Sequence, residues 1–153
     1  MTFFIVYAPC VDYNKNMVIS ADATKFLIAQ DVAVLSTLGR DGKVEGAAVY
    51  YYFDGTSFFI LTKSGSTKAH NMLANHHIAL TIYDAKQVKS AQIQGLAHIE
   101  ADLKQKRYIF DKLVGSRLSG NKTLPPPVTQ LGVGGFIIFY ITPTRFRYTD
   151  YKL

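Results

Sequence analysis

The chain has 153 residues, 48% of them hydrophobic and 18% charged, with ten Tyr, ten Phe and no Trp. That length and balance describe one compact domain with a real core, and they exclude a disordered or fibrous polypeptide. The net charge is +6, but Lys and Arg are scattered and no nucleic-acid motif is present, so the excess favours an anionic small ligand or simple solubility over nucleic acid. The single cysteine, Cys10, excludes an internal disulfide and fits a reducing, cytoplasmic setting.

Residues 1–19 hold the apolar run Phe3-Phe4-Ile5-Val6-Tyr7-Ala8. It lacks a basic leader and is far too short to span a bilayer, so it reads as an N-terminal arm, a strand or a dimer contact, ahead of one domain over 20–153. Ser20 caps a helix to about Gln30, with Ala23, Phe26 and Leu27 inward. Strands follow at Val32–Leu38, Val44–Phe53 and Ser57–Lys63, separated by turns at Gly39–Gly42 and Asp54-Gly55, which makes an antiparallel meander. The second strand is apolar on both faces, Ala48, Tyr50 and Tyr52 against Ala47, Val49, Tyr51 and Phe53. A strand of that kind in a small barrel calls for a partner chain or a flat ligand on its outer face.

From Leu61 to Asn75 a strand breaks into a polar turn and then a short helix, with Ser66 as N-cap and Ala69, Met72 and Leu73 inward. Lys68 falls in the first turn, where a cation opposes the helix dipole at a cost of up to about 1 kcal/mol unless an anion is bound. Between Asp54 and Asp84 there is no Asp or Glu to supply that charge. A ligand phosphate would do so; the alternative is a solvated Lys whose stem covers apolar surface.

His77–Tyr83 and Ser90–Glu100 are the next strands, the latter with Ala91, Ile93, Ala97 and Ile99 on its core face and Ser90, Gln92, Gln94 and His98 on the other. A helix runs from about Asp102 to Val114 and stops at Gly115. Residues 116–135, with Pro125-Pro126-Pro127 and three glycines near the end, read as a long functional or mobile loop able to act as a flap. Gly135–Thr142 and Thr144–Tyr151 finish the chain as a strand interrupted at Pro143. The expected fold is mainly β with short helices, a six-stranded antiparallel barrel.

No Walker loop, dinucleotide glycine motif, nucleophile elbow or metal-ligand spacing occurs, and His70, His76 and His77 read as ordinary polar positions. Glu100 and Asp102 read as a helix start rather than an acid/base pair. No catalytic side chain can be assigned, so an enzyme built on this chain would take its chemistry from a cofactor.

The block Leu61-Thr62-x-x-Gly65-Ser66-x-Lys68-Ala69-His70, followed by Asn75 and the strand from His77, resembles the flavin-phosphate segment of the pyridoxamine 5′-phosphate oxidase-like family, the FMN-binding split barrels. The resemblance runs from about Ala23 to Tyr151 and implies a homodimer that binds FMN between its chains. Carried over position by position, it implies ring and ribityl contacts from Gly46 to Tyr51 (Val49, Tyr50 and Tyr51 foremost), turn contacts at Leu61, Thr62 and Ser66, and phosphate contacts at Thr67 and Lys68. A flavin-contacting Gln of the other subunit falls at Ser90, with Gln92 on the same strand face. Tyr108, Lys112 and Ser116 match substrate-side positions. Gly46 and Thr67 stand where the oxidases carry Arg, Tyr51 where they carry a substrate Lys, and the C-terminal Arg-x-His segment is missing. The resemblance therefore implies an FMN-dependent oxidoreductase on an unidentified small molecule rather than a pyridoxamine-phosphate oxidase proper. A non-catalytic flavin or haem binder is the alternative, and deazaflavin remains open as the ligand.

Overall fold

The computed structural model describes residues 17–115 and 135–152. The apolar run Phe3–Ala8, Cys10, Ser116 and the proline-bearing loop lie outside them.

The first helix, α1 (Ala21–Ala29), starts where Ser20 accepts a hydrogen bond from the Ala23 amide at 3.2 Å, and it buries Ala23, Phe26 and Leu27. Its last carbonyls have no partner within the helix. One of them, on Leu27, accepts from the Tyr51 hydroxyl at 2.6 Å, which ties the helix to the barrel. Burial, with a smaller contribution from the Asp31 charge, holds the Tyr51 phenol above its ordinary pKa.

Strands β1 (Val32–Leu38), β2 (Val44–Phe53) and β3 (Phe58–Lys63) form the meander. Its turns need Gly42 and Gly55, whose φ angles are +76° and +99°. Asp54 fixes the second turn by accepting from the amides of Thr56 and Ser57 at 2.8 and 2.7 Å. Helix α2 (Thr67–Ala74) then leads into β4 (His77–Asp84) and β5 (Lys89–Ile99). Helix α3 (Leu103–Phe110) is capped by Asp102 and continues as a π-helical turn over Asp111–Gly115, and β6 (Phe136–Asp150) ends the described chain. Among the described residues the strands close into an antiparallel barrel in the order β1-β2-β3-β6-β5-β4. Its interior is filled by side chains such as Leu35, Phe58, Ile60, Leu80, Ile93 and Phe139. A second cluster on the outer side of β3, around Phe59, Leu61 and Ile138, is covered by Ile109, Leu113 and Val114 of the α3 segment.

Several expectations are corrected. Leu73 is 45% exposed, and the inward position on α2 goes to Asn71 instead. Ile99 is exposed at the end of β5 rather than in the core. Ser90 faces outward with Gln92, yet it is buried, its hydroxyl 3.3 Å from that of Tyr151. On β2 the inward set Val49, Tyr51 and Phe53 is buried, while the cover over outward Tyr52 comes from this chain's own α3 segment.

Pro143 does not interrupt the last strand. The register with β5 slips between Gln94, opposite Arg145, and Gly95, opposite Pro143, so Thr144 is an extra residue and the facing reverses there. Phe139, Ile141 and Pro143 are buried before the bulge, whereas Phe146 and Tyr148 pack on the core after it. The bend brings β6 against Gly95, where an added Cβ would meet Ile141 Cγ2 at 2.7 Å and the Thr142 carbonyl oxygen at 2.9 Å. Gly95→Ala is expected to lower unfolding free energy by about 1–3 kcal/mol, the cost of overpacking a site whose neighbour is backbone. Equilibrium denaturation with an unchanged midpoint would contradict this.

Candidate functional site

The polar turn after β3 is held at both ends. The Ser66 amide donates to the Lys63 carbonyl at 3.1 Å, and both the amide and the hydroxyl of Ser64 donate to the Gly135 carbonyl at the start of β6, at 2.9 and 2.8 Å. Thr62 is fully buried, its hydroxyl 3.0 Å from Ser66 Oγ, which also accepts from the Ala69 amide at 3.3 Å. The amides of Thr67 and Lys68 precede the helical ladder and point out of the helix start. Thr67 is exposed and Lys68 half-buried, no acid lies in the first turn of α2, and among the described residues the salt bridges are Lys43–Asp41 and Lys89–Asp150, neither of them here. Hydroxyls, first-turn amides and one lysine thus belong to a single turn, the kinds of donor an oxyanion requires.

Asn71 sets the orientation of this helix. It is buried and donates from Nδ2 to Thr37 Oγ1 on β1 at 3.0 Å, so α2 is anchored to the barrel. Sequence reasoning passed over Asn71; its one signal is a polar residue directly beside the inward Met72.

The remaining candidate residues are dispersed. Val49 and Tyr51 direct their side chains into the core, and Leu61 faces the α3 cluster, so each can offer a ligand its backbone only. Tyr50 is half-buried on the outer face of β2, beside exposed Gly46 and Ala48. A Cβ at Gly46 would find nothing nearer than Val34 Cγ1 at 3.8 Å, so this surface is flat and open. Ser90 and Gln92 on β5 are separated from β2 by β1 and β4. One chain does not bring them to the turn.

Tyr108 is 47% exposed, its hydroxyl 3.2 Å from that of Tyr52, and the Lys112 ammonium stands 5.3 Å from its ring centroid. The hydrogen bond to Tyr108, with a smaller desolvation contribution, pushes the Tyr52 phenol up to about 12. Tyr52, not singled out from the sequence, is thus the link between β2 and the matched substrate-side residues. His76 contacts the Ala97 carbonyl through Nδ1 at 2.9 Å and stacks on His98 at 5.1 Å, while His70 and His77 are exposed. Among the described residues no group of three or more His, Cys, Asp or Glu is placed to hold a metal, and no helix is long and apolar enough to cross a membrane.

The closed antiparallel barrel with short flanking helices defines a split-barrel domain. The sequence matches the family model described as pyridoxamine 5′-phosphate oxidase over residues 19–150, and the chain belongs to that family. Similar solved structures include a conserved hypothetical protein from Mycobacterium tuberculosis, with 19% identity and TM-score 0.70, covering 93% of this chain and 91% of that one. An FAD-binding protein from Mesorhizobium loti has 19% identity and TM-score 0.62, covering 85% and 93%. A protein described as an F420 reductase has 24% identity and TM-score 0.63, covering 80% and 94%. At these identities the likeness establishes the fold. No curated protein sequence matches the chain.

The Tyr52–Tyr108 contact is open to a direct test. A phenol raised in the folded state contributes stability that is complete below its unfolded value, about 10, and is lost as pH rises through its folded value. Tyr108→Phe is expected to bring the Tyr52 midpoint down from about 12 towards the ordinary value, and the alkaline loss of stability down with it. Tyrosinate absorbance that titrates identically in both proteins would contradict the assignment.

Proposed function

We propose that this chain is a cytoplasmic, homodimeric flavoprotein that binds FMN and carries out redox chemistry on a small molecule, without being a pyridoxamine-phosphate oxidase proper. The observation that carries the reading is the turn from Thr62 to Lys68, where a lysine with no acid in its helical turn shares one short segment with first-turn amides and the Thr62–Ser66 hydroxyl pair. Membership of the family and fold neighbours described as FAD-binding and as an F420 reductase support a flavin-type ligand. The residues present fit it. Lys68 and Thr67 would hold the phosphate, Thr62 and Ser66 would orient the turn, and the open surface at Gly46, Ala48 and Tyr50 would receive the ribityl and ring. A bound flavin supplies hydride acceptance and donation, while Tyr108 and Lys112 shape the substrate side. With Gly46 and Thr67 in place of two Arg, phosphate retention rests chiefly on Lys68.

The outer face of β1 and β2 supports the homodimer reading. Val44 is 75% exposed, Val34 47% and Val32 43%, and the register sets Val34 beside Ala48 and Val32 beside Tyr50. Contiguous apolar surface of this kind is a seat for another protein surface. A second copy would bring its own Ser90 and Gln92, which one chain alone keeps away from β2.

An absorption spectrum of the purified protein tests the ligand class: flavin bands support the reading, whereas a Soret band replaces it with a haem binder. Lys68→Ala is expected to weaken FMN binding by about 1.5–3 kcal/mol, the worth of a charge-assisted contact, with the fold intact. Unchanged affinity in titration calorimetry would remove Lys68 from the phosphate site. Sedimentation equilibrium should give a dimer at micromolar concentration; a stable monomer would contradict the proposed face.

A further inference from the structure

Two imidazoles meet where α2 gives way to β4. His76 follows the C-cap Asn75, and its Nδ1 lies 2.9 Å from the Ala97 carbonyl oxygen on β5. A carbonyl oxygen only accepts, so Nδ1 carries the proton and Nε2 keeps a free lone pair. The ring of His98, on β5, stands 5.1 Å from that of His76 with the planes 29° apart, and 5.4 Å from the ring of Tyr140 on β6. Among the described residues His98 has these ring contacts and no hydrogen bond, so nothing fixes which of its nitrogens is protonated or faces His76. His76 is exposed and His98 half-buried, which leaves the pair within reach of water. The separation is that of two rings sharing one ion: with metal–nitrogen bonds of about 2.0–2.1 Å and a tetrahedral angle, imidazole centroids stand roughly 5 Å apart. A ring N–H donated to a backbone carbonyl is also what sets the tautomer of metal-binding histidines and raises the basicity of the other nitrogen. Imidazole nitrogens suit a zinc-class divalent ion, whereas calcium and magnesium require oxygen ligands.

We propose that His76 and His98 form a two-imidazole site for a zinc-class divalent ion, bound through Nε2 of His76 and one ring nitrogen of His98. Among the described residues no third His, Cys, Asp or Glu joins them, so water or a small ligand completes the coordination and the site is open and exchangeable. The ion would reinforce a junction already made by the backbone, where the Ala97 amide donates to the His76 carbonyl at 2.9 Å. The pair is set apart from the residues assigned to the flavin. Lys68 lies at the opposite end of α2, and Gln92 is six residues back along β5, about 20 Å away. The inference stands whether or not the turn after β3 holds a flavin phosphate.

The test is a Zn²⁺ titration of the full chain carrying Cys10→Ser, His70→Gln and His77→Gln, which leaves His76 and His98 as its only histidines and removes the thiol. It is run at about pH 8, since metal binding takes neutral imidazole. Bound ion is counted against a chromophoric chelator while the ring nitrogens are followed by NMR. One ion per chain is expected, with saturable shifts at both rings, that of His76 at Nε2 with Nδ1 still protonated. His98→Gln removes a ring that makes no hydrogen bond, so it should leave the fold intact while raising the dissociation constant roughly tenfold or more. His76→Gln should weaken binding likewise; should that variant fail to fold, the ring shifts and His98→Gln decide the matter. Saturable shifts at neither ring or at one ring alone, or a dissociation constant unchanged by His98→Gln, would overturn the proposal.

Discussion

The barrel depends on one strand doing two jobs. β6 pairs with β3 through Phe136–Ile141 and with β5 from Phe139 to Asp150, so the same 15-residue strand must leave one neighbour, bend, and follow the other. A regular strand that long keeps one alternation of faces and a smooth twist. The extra residue at Thr144 breaks the alternation, and Gly95 supplies the close approach that the bend requires. Closure then leaves no free edge among the described strands, which removes the usual route to edge-to-edge association.

A closed interior gives the polar turn something rigid to stand on. Thr62 is the last buried residue of β3, and its hydroxyl meets Ser66 across the turn, while Asn71 reaches Thr37 on β1. These contacts fix α2 at its N-cap and at Asn71, so the donors at its start are held in place before any ligand arrives. Such preorganisation lowers the ordering cost that binding would otherwise carry. Lys68, with no acid in its helical turn, belongs to the same design: its position is unfavourable to the helix and favourable to a bound anion.

What the sequence made legible is what short-range chemistry decides. Ser20 and Ser66 are caps, Gly42 and Gly55 mark turns, and the bounds of α1, β1 and β2 follow from them almost residue for residue. Lys68 was recognisable because the missing counter-charge is a local fact. Asn71 was not, because its partner Thr37 is 34 residues away and one residue decides which side of an eight-residue helix faces in. Pro143 reads as a break in any single strand; only the opposing Gly95 shows that it sits at a bulge. The cleft lined by Gln92, Gln94, Arg145 and Arg147 was hidden for the same reason, since it exists only once β5 and β6 are in register. Of the flavin-side residues inferred by resemblance, Ser90 and Gln92 belong to a separate part of the surface, which a sequence read as one chain cannot unite with β2.

Register also connects β2 with the second half of β6. Gly46 pairs with Ser36, Ser36 with Ala79, Ala79 with Gln94 and Gln94 with Arg145, one row of cross-strand partners running from β2 around to β6. Where the resemblance expects an arginine on β2, this chain has a glycine with open space above it. Arg145 stands at the other end of the row, past the bulge. Charges can be gained or lost along this row while the barrel interior stays untouched, because none of its residues belongs to the buried core. A scaffold whose inward and outward positions are separated this cleanly can keep its fold and change its ligand, and that separation is the physical basis for a family in which fold is shared at low identity while binding sites diverge.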